Sequence, residues 1–200
     1  MFARHGGKDA PPVVGGLVMA AGGGLRFGGP KQLAMLGGRP MLEHAIRAMA
    51  AVPAIDPVVV VLGARAEQIA AAVDFHGVER VVCRHWETGL GASLRCGIAA
   101  LGDVDEAVIT LGDQPFITPQ VIAGILDPPR SHLGARATYD GVPSHPVLLR
   151  RALLARADEL RGDAGFRDLL DGARVRTWEC GHLCDSRDID TREDLEVVRR

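Results

Sequence analysis

A three-layer α/β/α fold around a mostly parallel sheet is what this sequence predicts, from three observations. Short apolar runs recur at residues 13–19, 58–62 and 107–111, the pattern of strands covered on both faces. Segments of helical period separate them. A glycine-rich loop follows the first run directly, as at the carboxyl end of a strand that faces a ligand. Parallel strands need crossovers, and crossover helices cover both faces of the sheet. The expected class is therefore α/β, Rossmann-like, with a small antiparallel excursion near residues 134–149.

Val13, Val14, Leu17, Val18 and Met19 read as the first buried strand, and the glycines from Gly22 to Gly29 read as its loop. "PMLEHAIRAMA" places Met41, Leu42, Ala45, Ile46 and Met49 on one helical face, with Pro40 suited to the first turn. "DPVVVVLGA" is a second buried strand, "AEQIAAAV" a short helix and "ERVVC" a further strand. In "GASLRCGIAAL" the apolar positions Leu90, Leu94, Ile98 and Leu101 keep helical spacing. "DEAVITLG" is again a buried strand, and "TPQVIAGIL" a helix with Thr118 as cap and Pro119 in its first turn. "ARATYDGVPSHPVLLRR" then reads as two short strands around a Gly-Val-Pro turn. The last helix starts after Thr191, with an acidic first turn.

Composition narrows the classes. The chain has 200 residues, 47% hydrophobic and 24% charged, enough for one sizeable core. One domain over residues 13–200 is expected, behind a flexible N-terminal segment, residues 1–12. A net charge of −2 with mixed signs provides no basic stripe for nucleic acid, and "VVVVL" is far too short to span a membrane. "MFARHGGKDAPP" lacks a signal-peptide core, so a cytoplasmic protein with four reduced cysteines is expected. "CGHLC" at 180–184 does not have the ligand spacing of a zinc site.

The loop "GLVMAAGGGLRFGGPKQL" points to phosphate: glycines let the backbone wrap a ligand, and Arg26 and Lys31 add two cations. It is not a P-loop, because Gly23 and Gly28 are followed by Gly-Pro-Lys-Gln. As a dinucleotide fingerprint it fits at Gly22 and Gly24 and then meets Phe27. Asp113, just after a strand buried on both faces, must face the ligand crevice or lack a partner.

Four stretches, "LVMAAGGGLRFGGPKQL", "WETGLGASLRCGI", "LGDQPFITPQVI" and "DIDTREDL", together resemble the nucleotidyltransferases that activate molybdopterin, and most closely their cytidylyltransferase branch. The resemblance covers residues 13 to 198. Residues 18–28 with Lys31 follow the family pattern Leu-x-Ala-Ala-Gly-x-Ser-x-Arg-Met-Gly, with Gly24 at the serine position and Phe27 at the methionine.

The resemblance implies a catalytic set of Arg26, Lys31 and Asp113, with the two cations on the triphosphate. It implies magnesium on Asp113 and Asp190, with Asp185 and Asp188 facing solvent. It implies nucleotide contacts from Met19, Ala20, Ala21, Gly22, Gly23, Gly24, Gly91, Ala92 and Ser93. Ala21, in place of the guanylyl branch's glycine, and "GDQP" imply a pyrimidine. "GVPSHPVLL" and "GDAGFRDLL" resemble substrate-side segments, and His145 matches a histidine near the substrate, although a histidine beside proline also serves packing. The implied reaction transfers CMP from CTP to the phosphate of molybdopterin, releasing pyrophosphate, with a molybdenum hydroxylase as recipient of the product. A GTP-using or sugar-phosphate enzyme of the same fold, a non-catalytic cofactor-delivery protein and a redox enzyme are the alternatives.

Overall fold

The structure, a computed structural model, describes residues 11–199; most of the expected flexible segment, residues 1–10, lies outside them. The chain opens with β1 (Val14–Ala20), a small hairpin of β2 (Met35–Leu36) and β3 (Arg39–Pro40), and α1 (Met41–Ala50). β4 (Val58–Leu62), α2 (Ala66–Ala72), β5 (Glu79–Val82), α3 (Leu90–Leu101) and β6 (Glu106–Leu111) complete the alternating half. Then come α4 (Pro119–Gly124), β7 (Gly134–Tyr139), β8 (Val142–Arg150), α5 (Arg151–Leu154), α6 (Phe166–Leu170), β9 (Val175–Glu179) and α7 (Arg192–Val198). Strand order in the seven-stranded sheet is β5-β4-β1-β6-β8-β7-β9.

β1 pairs in parallel with β4 and β6, and β4 with β5. The expected antiparallel excursion is present. β8 pairs antiparallel with both β6 and β7, so the hairpin lies within the sheet. The unforeseen β9 pairs in parallel with β7 and forms the outer edge. It escapes sequence reading because its half-exposed residues, Arg176 and Trp178 among them, form no apolar run.

Side-chain alternation builds the layers. Along β1, Val14, Val18 and Ala20 face a core shared with α1, α2 and α4, while Leu17 and Met19 face one shared with α3, α5 and α6. β4 divides the same way, Val60 and Leu62 to one side and Val59 and Val61 to the other. A residue shift would send each set to the wrong face, so register is strongly specified. The parallel strands all end at one rim of the sheet, where the loop after β1 and Asp113 meet. No helix among the described residues is long and apolar enough to cross a membrane.

Gly97 sets the distance of α3 from the sheet: a Cβ there would lie 2.7 Å from Val61 Cγ2 and 3.2 Å from Leu17 Cδ2. Gly97→Val is expected to destabilise the fold by about 1–3 kcal/mol through overpacking. A lower urea midpoint at unchanged m value is the expected readout; an unchanged midpoint means that α3 can lift freely.

Candidate active site

The loop after β1 is shaped by an amide clamp and a turn. Gln32, buried, donates from Nε2 to the carbonyls of Ala20 at 2.8 Å and Gly22 at 2.9 Å. With those carbonyls turned toward Gln32, the strand end and loop are held in one path. Gly24 has φ +63°, and its carbonyl accepts from Gly29 N at 3.2 Å. A Cβ at Gly24 would lie 2.0 Å from the Gly29 oxygen, so a side chain at the family's serine position would clash here. Phe27 packs with Leu36, Met41, Ile189 and Leu195, which fastens the loop to the C-terminal segment. Ile189 N also donates to Asp113 O at 3.0 Å.

These contacts bring three distant parts of the chain together. Lys31 Nζ donates to both Asp113 Oδ2 and Asp190 Oδ1, the latter at 2.7 Å. Arg26 reaches Asp190 Oδ2 at 2.8 Å, with its side chain 73% exposed. Lys31 is largely buried. Burial alone would lower its pKa, but Asp113 and then Asp190 outweigh it, and the net shift is upward. Asp190 does not cap α7: its backbone N–H donates to Asp194, and Thr191 accepts from Asp194 N as the cap.

A cavity of about 440 Å³ opens beside this cluster. Of the expected residues, Met19, Ala20, Ala21, Gly22, Lys31, Ser93 and Asp113 line it. Gly23 lies against the Trp86 ring, and Gly24 makes the turn. Gly91 and Ala92 do not line the cavity. Gly91 packs under Leu160 and Ala164, where a Cβ would lie 3.1 Å from each contact, and Ala92 is in the core. Gln32, Trp86, Glu87 and Asp163 line it without having been foreseen. A glutamine beside a lysine reads as surface, and only its position after the loop hints at a clamp.

A second cavity of about 470 Å³ shares Leu90, Leu111 and Asp163 with the first. His145 lines it, with the ring edge-on to Phe166 at 5.2 Å and Nε2 buried without a partner. Burial, and then the charge of Arg136, push its pKa down to about 4. Gln114, buried, donates to Ser144 Oγ and to Ser186 O. Asp188 lines this cavity with much of its surface open to solvent; the partial desolvation of its carboxylate, and then the charges of Asp113 and Asp190, raise its pKa.

An open α/β sheet with a glycine loop, two carboxylates and two cations at the carboxyl end of its strands defines a nucleotide-handling enzyme. Residues 16–178 match the MobA-like NTP transferase domain, and the chain belongs to that family of nucleotidyltransferases. It is 33% identical over 198 residues to nicotine blue oxidoreductase of Paenarthrobacter nicotinovorans, covering 94% of this chain and 95% of the relative. Rv0371c of Mycobacterium tuberculosis H37Rv is 27% identical with a TM-score of 0.84, over 95% of this chain and 98% of that one. The same protein has been solved in complex with manganese, a match at 26% identity, TM-score 0.77, over 94% and 98%. The molybdopterin-guanine dinucleotide biosynthesis protein A of Archaeoglobus fulgidus, 17% identical over 92% and 96% with a TM-score of 0.69, shares the fold.

The His145 environment sets a pH dependence. Its folded pKa, near 4, lies below the unfolded value of 6.5, so its contribution to stability is full above pH 6.5 and is lost as pH falls toward 4. Up to about 3 kcal/mol follows from that gap. His145→Gln is expected to flatten the urea-midpoint curve between pH 6.5 and 4.5; an unchanged slope would show that the imidazole is hydrated.

Proposed function

We propose that this enzyme transfers CMP from CTP to the phosphate of molybdopterin, releasing pyrophosphate. The observation that carries this reading is the convergence of Lys31, Asp113, Asp190 and Arg26 beside a cavity walled by Ala20, Ala21 and Ser93. Arg26 and Lys31 bind the triphosphate and neutralise the charge that grows on departing pyrophosphate. Gly22, Gly23 and Gly24 present backbone to the phosphates, and Ala21 narrows the base pocket toward a pyrimidine. The second cavity receives the acceptor, with His145 on its wall. The acceptor phosphate is already anionic at neutral pH, so no general base is needed, and the protein's work is alignment.

Among the described residues no three His, Cys, Asp or Glu side chains cluster closely enough to cage a metal by themselves. The residues present nevertheless fit magnesium. Asp113 and Asp190 offer hard oxygens that already converge on one cation, the Lys31 ammonium, and magnesium is commonly held by one or two carboxylates plus substrate phosphates and water. When bound it would supply charge neutralisation at the phosphates. Lys31 must then exchange carboxylate for phosphate. Delivery of the product to a molybdenum hydroxylase in the cytoplasm belongs to the same reading.

A second reading has a specific observation behind it: the relative named an oxidoreductase matches nearly the whole chain. Reduction of a dye-like acceptor by a nicotinamide cofactor, without pyrophosphate release, is the outcome that would establish it.

Pyrophosphate release with phosphorylated acceptor, measured for CTP and GTP, tests the proposal. CTP is expected to be preferred at least about tenfold in kcat/KM, or about 1.4 kcal/mol, and Ala21→Gly to shrink the gap; equal use of both nucleotides removes the cytidylyl assignment. Lys31→Ala is expected to lower kcat by about 100-fold. A change in KM alone would make Lys31 a binding group only.

A further inference from the structure

The second cavity contains two cations that the reaction as described leaves unused. Arg136 projects from β7 and Arg167 from α6, and both line the cavity. Arg136 is half-buried, and its Nε is buried without a hydrogen-bond partner. Neither guanidinium forms an ion pair among the described residues. Burial, and then the charge of Arg167, lower the Arg136 pKa, and the one charge that shifts His145 is that of Arg136. Two guanidiniums without ion-pair partners line one cavity with a buried imidazole nitrogen that also lacks a partner, an arrangement that an anion would stabilise.

None of the cavity's carboxylates forms an ion pair with either guanidinium. Asp168, in the first turn of α6, accepts at 2.7 Å from the backbone N–H of the N-cap residue Gly165. Asp188 stands in the field of Asp113 and Asp190 and takes a hydrogen bond from Gln114. Asp163 stands on the wall shared with the first cavity. The two guanidiniums thus stand without an ion-pair partner among the described residues, in a protein of net charge −2.

We infer that Arg136 and Arg167 form a subsite for a dianionic oxyanion, and that they select an acceptor with a phosphate monoester. A carboxylate brings one negative charge and leaves one guanidinium uncompensated. A phosphate monoester brings close to two at neutral pH, with oxygens for both. His145, unprotonated at neutral pH, can donate one N–H to the same group. The inference rests on the second cavity being the acceptor side. It adds a direction to the reaction: when the acceptor oxygen bonds to the α-phosphorus and the bond to the departing pyrophosphate breaks, the acceptor phosphate becomes one half of a phosphoanhydride and keeps a single charge. The subsite then holds its product less tightly than its substrate.

Inorganic phosphate and acetate are the probes, titrated calorimetrically into the whole chain with and without saturating CTP. Phosphate is expected to bind in both conditions, at least about tenfold more tightly than acetate. Arg136→Gln and Arg167→Gln are each expected to weaken phosphate binding by about tenfold or more while leaving CTP affinity within about twofold. Arg167 is exposed on a short helix, so its variant stays informative if the β7 variant fails to fold. No phosphate binding by the wild type, equal binding of acetate, or undiminished binding by Arg167→Gln overturns the subsite. Phosphate binding that follows the arginines in a chain that neither binds CTP nor releases pyrophosphate keeps the subsite and removes the nucleotidyl-transfer reading.

Discussion

A single ammonium group joins the distant parts of this molecule. Lys31 lies 82 residues from Asp113 and 159 from Asp190 in sequence, and bonds to both. A cation removed from water needs such partners, because desolvation alone would drive off its proton. The partners are carried by the most firmly packed parts of the fold. Asp113 follows the central β6, and Asp190 is held between Ile189, fully buried, and the capped start of α7. The apolar cluster of Phe27, Leu36, Met41, Ile189 and Leu195 closes the same circuit in hydrocarbon. The charged contacts therefore do not have to assemble the site; apolar packing brings the chain segments together, and the charges set their spacing.

The alternating half of the fold is legible in the sequence because its strands are buried on both faces. "VVVVL" and "EAVITL" admit few other readings once glycine turns and helical segments flank them. The glycine loop and Asp113 are legible for a related reason: each breaks an apolar pattern at a strand's end. Legibility fails where function depends on direction. Gly91 and Ala92 occupy the first turn of α3 and look like nucleotide contacts, yet they face the 160–164 segment and the core. Nothing local in the sequence tells which side of that turn faces a ligand. Gln32 and Trp86 line the first cavity through tertiary placement alone, and β9 is an edge strand whose partner is fixed only once the hairpin is inside the sheet.

The two cavities differ in how they are built. The first is walled by the end of β1, the start of α3 and the residues after β6, all within the parallel half. The second is walled largely by β7, β8 and α6, elements that follow the switch from parallel to antiparallel pairing. One half lines its cavity largely with backbone and small residues, and the other with side chains that differ in charge and shape. A chain of the MobA-like NTP transferase family is at the same time 33% identical to a protein named an oxidoreductase. The chemistry of a site follows its lining and not its fold.

Leu90, Leu111 and Asp163 belong to both cavities, and this has a consequence for how such a protein changes over generations. In the proposed reaction a substitution deep in the second cavity is felt by the acceptor alone, so that wall is free to drift toward new partners. With nucleotide in one cavity and acceptor in the other, as proposed, a substitution at any of the three shared positions is judged twice, and improvement for one is judged against loss for the other. New specificities in this lineage should therefore accumulate from the β7–β8 side inward and come last to the partition.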